Sequence, residues 1–253
     1  MRLLQYNDGE FSLTKDYIVE IPEYAILSHT WGPDTEEVTY RDLIDGTGKN
    51  KVGYEKIQFC GERARHDGWQ YFWVDTCCID KSNAVELQEA INSMFRWYQN
   101  AVKCYVYLTD VSTKKRKASD SSEYTWEPAF RSSKWFTRGW TLQELIAPTL
   151  VEFFSKDREL LGDKKSLEQH ICDVTRIPSK ALRGSPLAGF SATERMSWAE
   201  TRQTTRGEDI AYSLLGIFDV YMPLIYGEGQ KNAIERLREA VDRKEKGMPL
   251  SFD

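Results

Sequence analysis

Histidine and paired cysteine are what this chain has least of. Its 3 histidines stand at positions 29, 66 and 170, and its 5 cysteines, at 60, 77, 78, 104 and 172, include no Cys-x-x-Cys pair. Neither a structural zinc site nor a disulfide framework is supported on that count, and reduced, mostly buried thiols are what the pattern implies. No apolar run approaches the roughly 18 to 20 residues needed to cross a bilayer. The opening MRLLQYNDGEF lacks the apolar stretch of a secretory signal, so an intracellular, cytoplasmic protein is expected. With a net charge of −5 there is no bulk positive surface for nucleic acid.

Several catalytic signatures are missing too. No Gly-x-Gly-x-x-Gly follows the first strand, which disfavours a redox dinucleotide site, and there is no Gly-x-Ser-x-Gly elbow. Gly46-Thr-Gly-Lys49 imitates a phosphate loop only in passing, because Asn50 stands where Ser or Thr is required.

What is present is a chain of 253 residues, 41% hydrophobic and 29% charged, enough for one large domain. Four nearly continuous apolar, β-rich runs, at 24–29, 71–75, 104–108 and 150–154, predict strands covered on both faces. Helical spacing lies between them. The segment 54–67 carries Ile57, Cys60 and Ala64, with Gly68 as its stop. Asn83, with Glu86 three residues on, predicts a capping box for a helix presenting Leu87, Ile91, Met94 and Tyr98. A shorter helix fits 140–146, ended by Pro148. This alternation predicts a parallel, doubly wound α/β sheet over residues 20–155. The polar stretch 112–133, with its Lys114-Lys-Arg-Lys117 run, reads as a solvated insertion loop. Helices at 165–174, 193–202, 209–218 and 230–244 predict a helical extension, over 156–245, packed on the sheet.

Ligands of open parallel sheets gather beyond the carboxyl ends of the strands. There the sequence places Ser28, His29 and Trp31 after the first strand and Asp75, Cys78 and Asp80 after the second, while the third helix brings Arg138, Trp140 and Glu144. Rings to stack, donors for phosphate and acids for ribose hydroxyls would suit a nucleotide. Each also has an ordinary structural role. His29 fits a hydrogen-bonded strand end, Asp75 a turn cap, the cysteines and tryptophans core packing, Arg138 a surface ion pair and Glu144 a solvated helix. Four residues apart, Trp140 and Glu144 share a helical face, so an indole lining the cleft would bring the carboxylate with it.

Tyr24-Ala-Ile-Leu-Ser-His-Thr-Trp-Gly32, Phe72-Trp-Val-Asp-Thr-Cys-Cys-Ile-Asp80 and Arg138-Gly-Trp-Thr-Leu-Gln-Glu144 resemble the three motif blocks of the fungal heterokaryon-incompatibility (HET) domain. Gly207-Glu-Asp-Ile-Ala-Tyr212 and Tyr226-Gly-Glu-Gly229 extend the likeness toward residue 240. The resemblance implies a single HET domain over residues 1–253, of the kind that heads large incompatibility proteins with a nucleotide-binding NACHT switch and WD repeats. In that family it is the cell-death effector released on non-self recognition.

The order of strand-Ser, helix, strand and Ser133-x-Trp-Phe followed by Glu144-Leu is also similar to TIR domains. That likeness implies a flavodoxin-like parallel sheet and self-association on activation. It implies a catalytic Glu144, with Ser28, His29, Trp31, Asp75, Cys78, Asp80, Arg138 and Trp140 shaping the site. The substrate would be NAD+, cleaved between nicotinamide and ribose with no metal and no further cofactor. An Arg-Gly-Trp insert leaves both Trp135 and Trp140 open as counterparts of the TIR tryptophan. Two other classes stand beside this one: a non-enzymatic adaptor using the same aromatic edge for protein contacts, and a magnesium-dependent nuclease built on Asp75, Asp80 and Asp209.

Overall fold

Both faces of the central strands are covered, which is why their sequences run apolar without alternation. The computed structural model describes residues 1–7, 10–114 and 126–247. Among them seven strands form one sheet: β1 Leu4–Asn7, β2 Glu10–Leu13, β3 Tyr24–His29, β4 Tyr71–Trp73, β5 Lys103–Leu108, β6 Val151–Ser155 and β7 Leu160–Asp163. Their order is β2-β1-β4-β3-β5-β6-β7. The four inner strands β4, β3, β5 and β6 are mutually parallel. At the edges β1 runs antiparallel to β2 and β4, and β7 antiparallel to β6.

The four predicted strands are therefore the parallel core, and the expectation of a wholly parallel sheet is corrected to a mixed one. The edge strands are four residues long, and β2 alternates between exposed and half-buried positions, so none carries the continuous apolar signal of a central strand.

Twelve α-helices surround the sheet among the described residues: α1 Tyr40–Ile44, α2 Tyr54–His66, α3 Asp75–Cys78, α4 Ala84–Asn100, α5 Glu127–Arg131, α6 Thr141–Ile146, α7 Glu168–Thr175, α8 Ser179–Leu182, α9 Ala192–Ser197, α10 Asp209–Tyr212, α11 Leu215–Phe218 and α12 Gln230–Glu245. The α2 helix covers one face, where Phe59 packs its ring 4.9 Å from Tyr107 and 5.0 Å from Phe154. The α4 and α6 helices cover the other. Tyr24 there donates to the Trp97 carbonyl at 2.6 Å, and Trp73 meets Tyr98 edge-on at 6.0 Å.

The second half packs chiefly on α4. Gln88 and Asn92 hold the Met222 carbonyl at 2.9 and 3.2 Å, and Gln88 accepts from the Leu224 amide at 2.7 Å. Gly216 of α11 lies against Phe95 so closely that a Cβ there would sit 2.0 Å from the Phe95 Cβ.

Local expectations changed in detail. Asn83 caps α4 by accepting from the Val85 and Glu86 amides at 3.1 and 3.2 Å. The return half of the capping box does not form, because Glu86 turns instead to the Asp80 amide, at 2.7 Å, and to Arg2. The helix expected over 193–202 stops at Ser197, and the one over 209–218 is split into α10 and α11. Within 112–133, residues 115–125 and with them most of the lysine–arginine run lie outside the described residues. The rest is not simply solvated, since α5 buries Phe130 completely.

Candidate active site

Alternation along β3 decides who meets whom at its carboxyl end. Successive side chains point to opposite faces, so Ser28 looks toward α6 and His29 toward α2. The predicted cluster is thereby divided into two centres on either side of the sheet.

On the α6 side, the Ser28 hydroxyl donates to a carboxylate oxygen of Glu144 and accepts from the Trp135 indole Nε1–H at 2.8 Å. All six residues of α6 are buried, Glu144 included, with 5% of its surface exposed. Burial, with Asp75 adding like-charge repulsion, pushes the Glu144 carboxyl up to about 8, against the hydrogen bonds from Ser28 and Tyr98 and the attraction of Arg202. Arg202 is itself buried. Its Nη1 donates to the Arg138 carbonyl at 2.8 Å and to Thr141 Oγ1 at 2.9 Å, while its Nη2 has no hydrogen-bond partner among the described residues. Burial draws Arg202 down to about 10, so it stays cationic at neutral pH.

On the α2 side, His29 is held between two charges. Its Nε2 lies 3.2 Å from Asp75 Oδ1, and its Nδ1 lies 3.2 Å from the Lys56 ammonium. A neutral imidazole protonated on Nε2 satisfies both. Lys56 also donates to the Thr30 carbonyl at 3.1 Å and to Glu37, which in turn takes the Gly32 amide at 2.6 Å. Trp31 donates from Nε1 to Asp75 Oδ2 at 2.9 Å, and Lys81 places its ammonium 3.5 Å over that ring. Burial works against the Asp75 charge, yet the hydrogen bond from His29 and the nearby Lys81 hold its carboxyl below the usual range.

The remaining predicted residues are dispersed. Cys78 is buried, its sulfur accepting from the Val74 amide at 3.4 Å. Asp80 closes the turn before α4 through Ser82 Oγ at 2.6 Å. Arg138 takes part through its carbonyl. The Trp140 indole bonds toward Asp209 rather than sharing a cleft with Glu144, and Asp209 also receives the Tyr226 hydroxyl at 2.9 Å. Trp140 stands just before α6 without a side-chain capping bond, and the indole linked to Glu144 through the Ser28 hydroxyl is Trp135. Asp75, Asp80 and Asp209 each have separate partners. Among the described residues no group of three or more His, Cys, Asp or Glu side chains is placed to hold a metal.

Four contributors escaped the sequence reading: Lys56, Glu37, Tyr98 and Arg202. Tyr98 lay on the predicted apolar stripe of α4 and Lys56 beside apolar Ile57, which signals burial but no partner. Nothing local marks Arg202.

A family model described as "Heterokaryon incompatibility protein (HET)" matches residues 24–129. The chain is 64% identical over 245 residues, 96% of its length, to the vegetative incompatibility protein HET-E-1 of Podospora anserina. This chain carries a HET domain. The family match takes in β3, β4 and β5 with Ser28, His29, Trp31 and Asp75, and stops short of Trp135 and Glu144. The identity to HET-E-1 carries the HET likeness across the rest. The chain spans 18% of that relative's length. No solved structure matches it.

Proposed function

We propose that this chain is the cell-death effector segment of a vegetative-incompatibility protein and that it acts by hydrolysing the nicotinamide–ribose bond of NAD+. The identity to HET-E-1 supports the first part. One observation carries the second: a buried carboxyl, Glu144, held by Ser28 at the carboxyl end of β3.

Breaking that bond builds oxocarbenium-like charge on the ribose, which a fixed carboxylate stabilises. The nicotinamide ring is cationic when bound and leaves neutral with the bonding electron pair. Water adds to the sugar and releases a proton, giving ADP-ribose. Glu144 supplies the carboxylate, Ser28 orients it, and Trp135 holds the Ser28 hydroxyl in place.

With its carboxyl pushed up to about 8, Glu144 is mostly neutral at pH 7 and idle while enclosed. Admitting water and a cationic substrate lowers that value and yields the ionised form. Self-association in the cytoplasm, on release by a nucleotide-binding switch and WD repeats elsewhere in the protein, supplies the opening. The self-association follows the TIR likeness, and the switch and repeats follow the HET one.

The test is nicotinamide release by concentrated chain incubated with NAD+, with Glu144→Gln alongside. Release is expected from the parent and at least about a hundredfold less from the variant. Equal release removes Glu144 from its role, and none at any protein density overturns the hydrolase.

The enclosure of Glu144 favours a second reading, in which the Trp135–Ser28–Glu144 chain only locks α6 to the sheet and the domain signals through protein contacts. Trp31, 39% exposed, would then be an anchor. Melting temperatures unchanged by NAD+ or ADP-ribose, together with self-association, favour that adaptor.

A further inference from the structure

Behind α6, on the side away from Ser28, lies a groove of about 1040 Å³. Ile146 and Ala147 line it, but Ser28, Trp135 and Glu144 do not. Its walls come from α4, the turn into β6, α8, α9, α11 and α12, so nearly every part of the helical half contributes.

Its charge is opposite to that of the chain. The lining holds six cations, Arg96, Lys164, Lys165, Arg183, Arg195 and Lys244, against four acids, Asp163, Glu168, Asp219 and Glu245, an excess of 6 − 4 = 2 positive charges in a chain of net charge −5. The four acids are already engaged. Glu168 pairs with Arg183, Asp219 with Lys244 and Glu245 with Arg195, while Asp163 accepts from the amides of Lys165 and Ser166.

Arg96, Lys164 and Lys165 form no salt bridge among the described residues, although Lys165 lies near enough to Asp163 to help lower its carboxyl. Lys164 is the telling one. It is 8% exposed and is held only by the Leu145 carbonyl at 3.2 Å and the Pro148 carbonyl at 2.5 Å, which leaves one of its three N–H donors unspent. Burial lowers it to about 8. Arg195, also 8% exposed, stacks its guanidinium 4.5 Å over Phe218, and its Nε has no partner among the described residues. A buried cation without a carboxylate, as Lys164 is, is costly unless an anion completes it.

Apolar wall residues, among them Phe95, Ile146, Leu182 and Phe218, offer a surface for a flat or aliphatic body beside that charge. The volume is at the upper end of what small-ligand pockets reach, roughly 300–1000 Å³.

We propose that this groove is a second ligand site, built for an organic phosphate whose phosphoryl group meets Lys164, Lys165 and Arg96 and whose body lies on the apolar wall. The site is separate from the Glu144 centre and does not depend on the hydrolase reading. A soluble nucleotide and a phospholipid headgroup carry the same chemistry.

Equilibrium binding to the 253-residue chain, using ADP, pyrophosphate and phosphatidylcholine vesicles with and without phosphatidic acid, tests the site. ADP binding, weakened by added salt, identifies a soluble ligand, and binding confined to the phosphatidic acid vesicles identifies a lipid. In either case Arg96→Glu with Lys165→Glu, both exposed, raises Kd at least tenfold. Lys164→Met does the same if it folds; the surface pair decides the matter if it does not. Glu144→Gln binds as the parent does.

Four results overturn the assignment. They are binding of none of these probes, binding of pyrophosphate alone, binding indifferent to the charge reversals, and binding lost in Glu144→Gln, which would move the ligand to the other side of α6.

Discussion

Ser28 and Glu144 stand 116 positions apart in the chain, yet the hydroxyl of one donates to the carboxyl of the other inside the core. That bond fastens α6 to the end of β3 and buries an acid whose ionisation water no longer supports. Burial raises the Glu144 carboxyl to about 8, so the folded chain keeps a proton that the unfolded chain releases at lower pH. Between the ordinary carboxylate range and about 8 the native state binds more protons, and stability therefore falls as pH rises. Glutamine keeps the shape and carries no titrating proton. Glu144→Gln is expected to match the parent at pH 5 and to exceed it by about 4 kcal/mol at pH 9. Urea unfolding at the two pH values measures the gap; a gap that does not change with pH refutes the assignment of that carboxyl.

Ser28→Ala removes two bonds at once, because the same oxygen accepts from Trp135 and donates to Glu144. An indole N–H and a carboxyl are left in the core without that partner, at a cost of about 1–3 kcal/mol. The Ser28 bond favours the ionised carboxyl, so its loss moves the alkaline decline in stability to higher pH. A stability–pH curve of Ser28→Ala displaced toward lower pH would contradict this geometry.

The other centre makes a different prediction. Lys56 and Glu37 are each 7% exposed at the side chain and face one another across the Gly32 turn. Removing one partner strands a buried charge, so Lys56→Met is expected to cost about 3–5 kcal/mol, whereas replacing both, as Lys56→Met with Glu37→Gln, recovers most of it. Chemical denaturation of the single and double variants gives the coupling directly. Additive losses would mean the pair is not acting as a buried unit.

The parallel core was legible because continuous apolar runs admit few other readings. Strands at 24–29 and 104–108 lie within about one residue of where the sequence put them. The edges were not, since β1, β2 and β7 are short and β2 is half exposed, so hydropathy barely distinguishes them from loops. At the site, position along the strands was readable and direction was not. Ser28 and His29 were rightly put at one strand end, but a period of two sends them to opposite faces. Trp140 was paired with Glu144 by helical spacing, whereas its indole bonds toward Asp209. Arg202 reaches Thr141 from 61 positions away, a contact no local pattern announces.

The close approach of α11 to α4 can be probed at a single atom. Gly216 sits where an added Cβ would come within 2.0 Å of the Phe95 Cβ and 2.3 Å of its Cγ. Those atoms lie at the root of the side chain, so rotation of the ring cannot relieve the overlap, and the helices must separate. Gly216→Ala, which in an ordinary helix would gain about 1 kcal/mol, is expected instead to cost about 1–3 kcal/mol. Phe95→Ala does not rescue it, because the colliding Cβ remains. Thermal unfolding of the two single variants and the double variant checks both statements. A neutral or stabilising Gly216→Ala, or full rescue by Phe95→Ala, would mean that α11 rides on the phenyl ring and not on the backbone of α4.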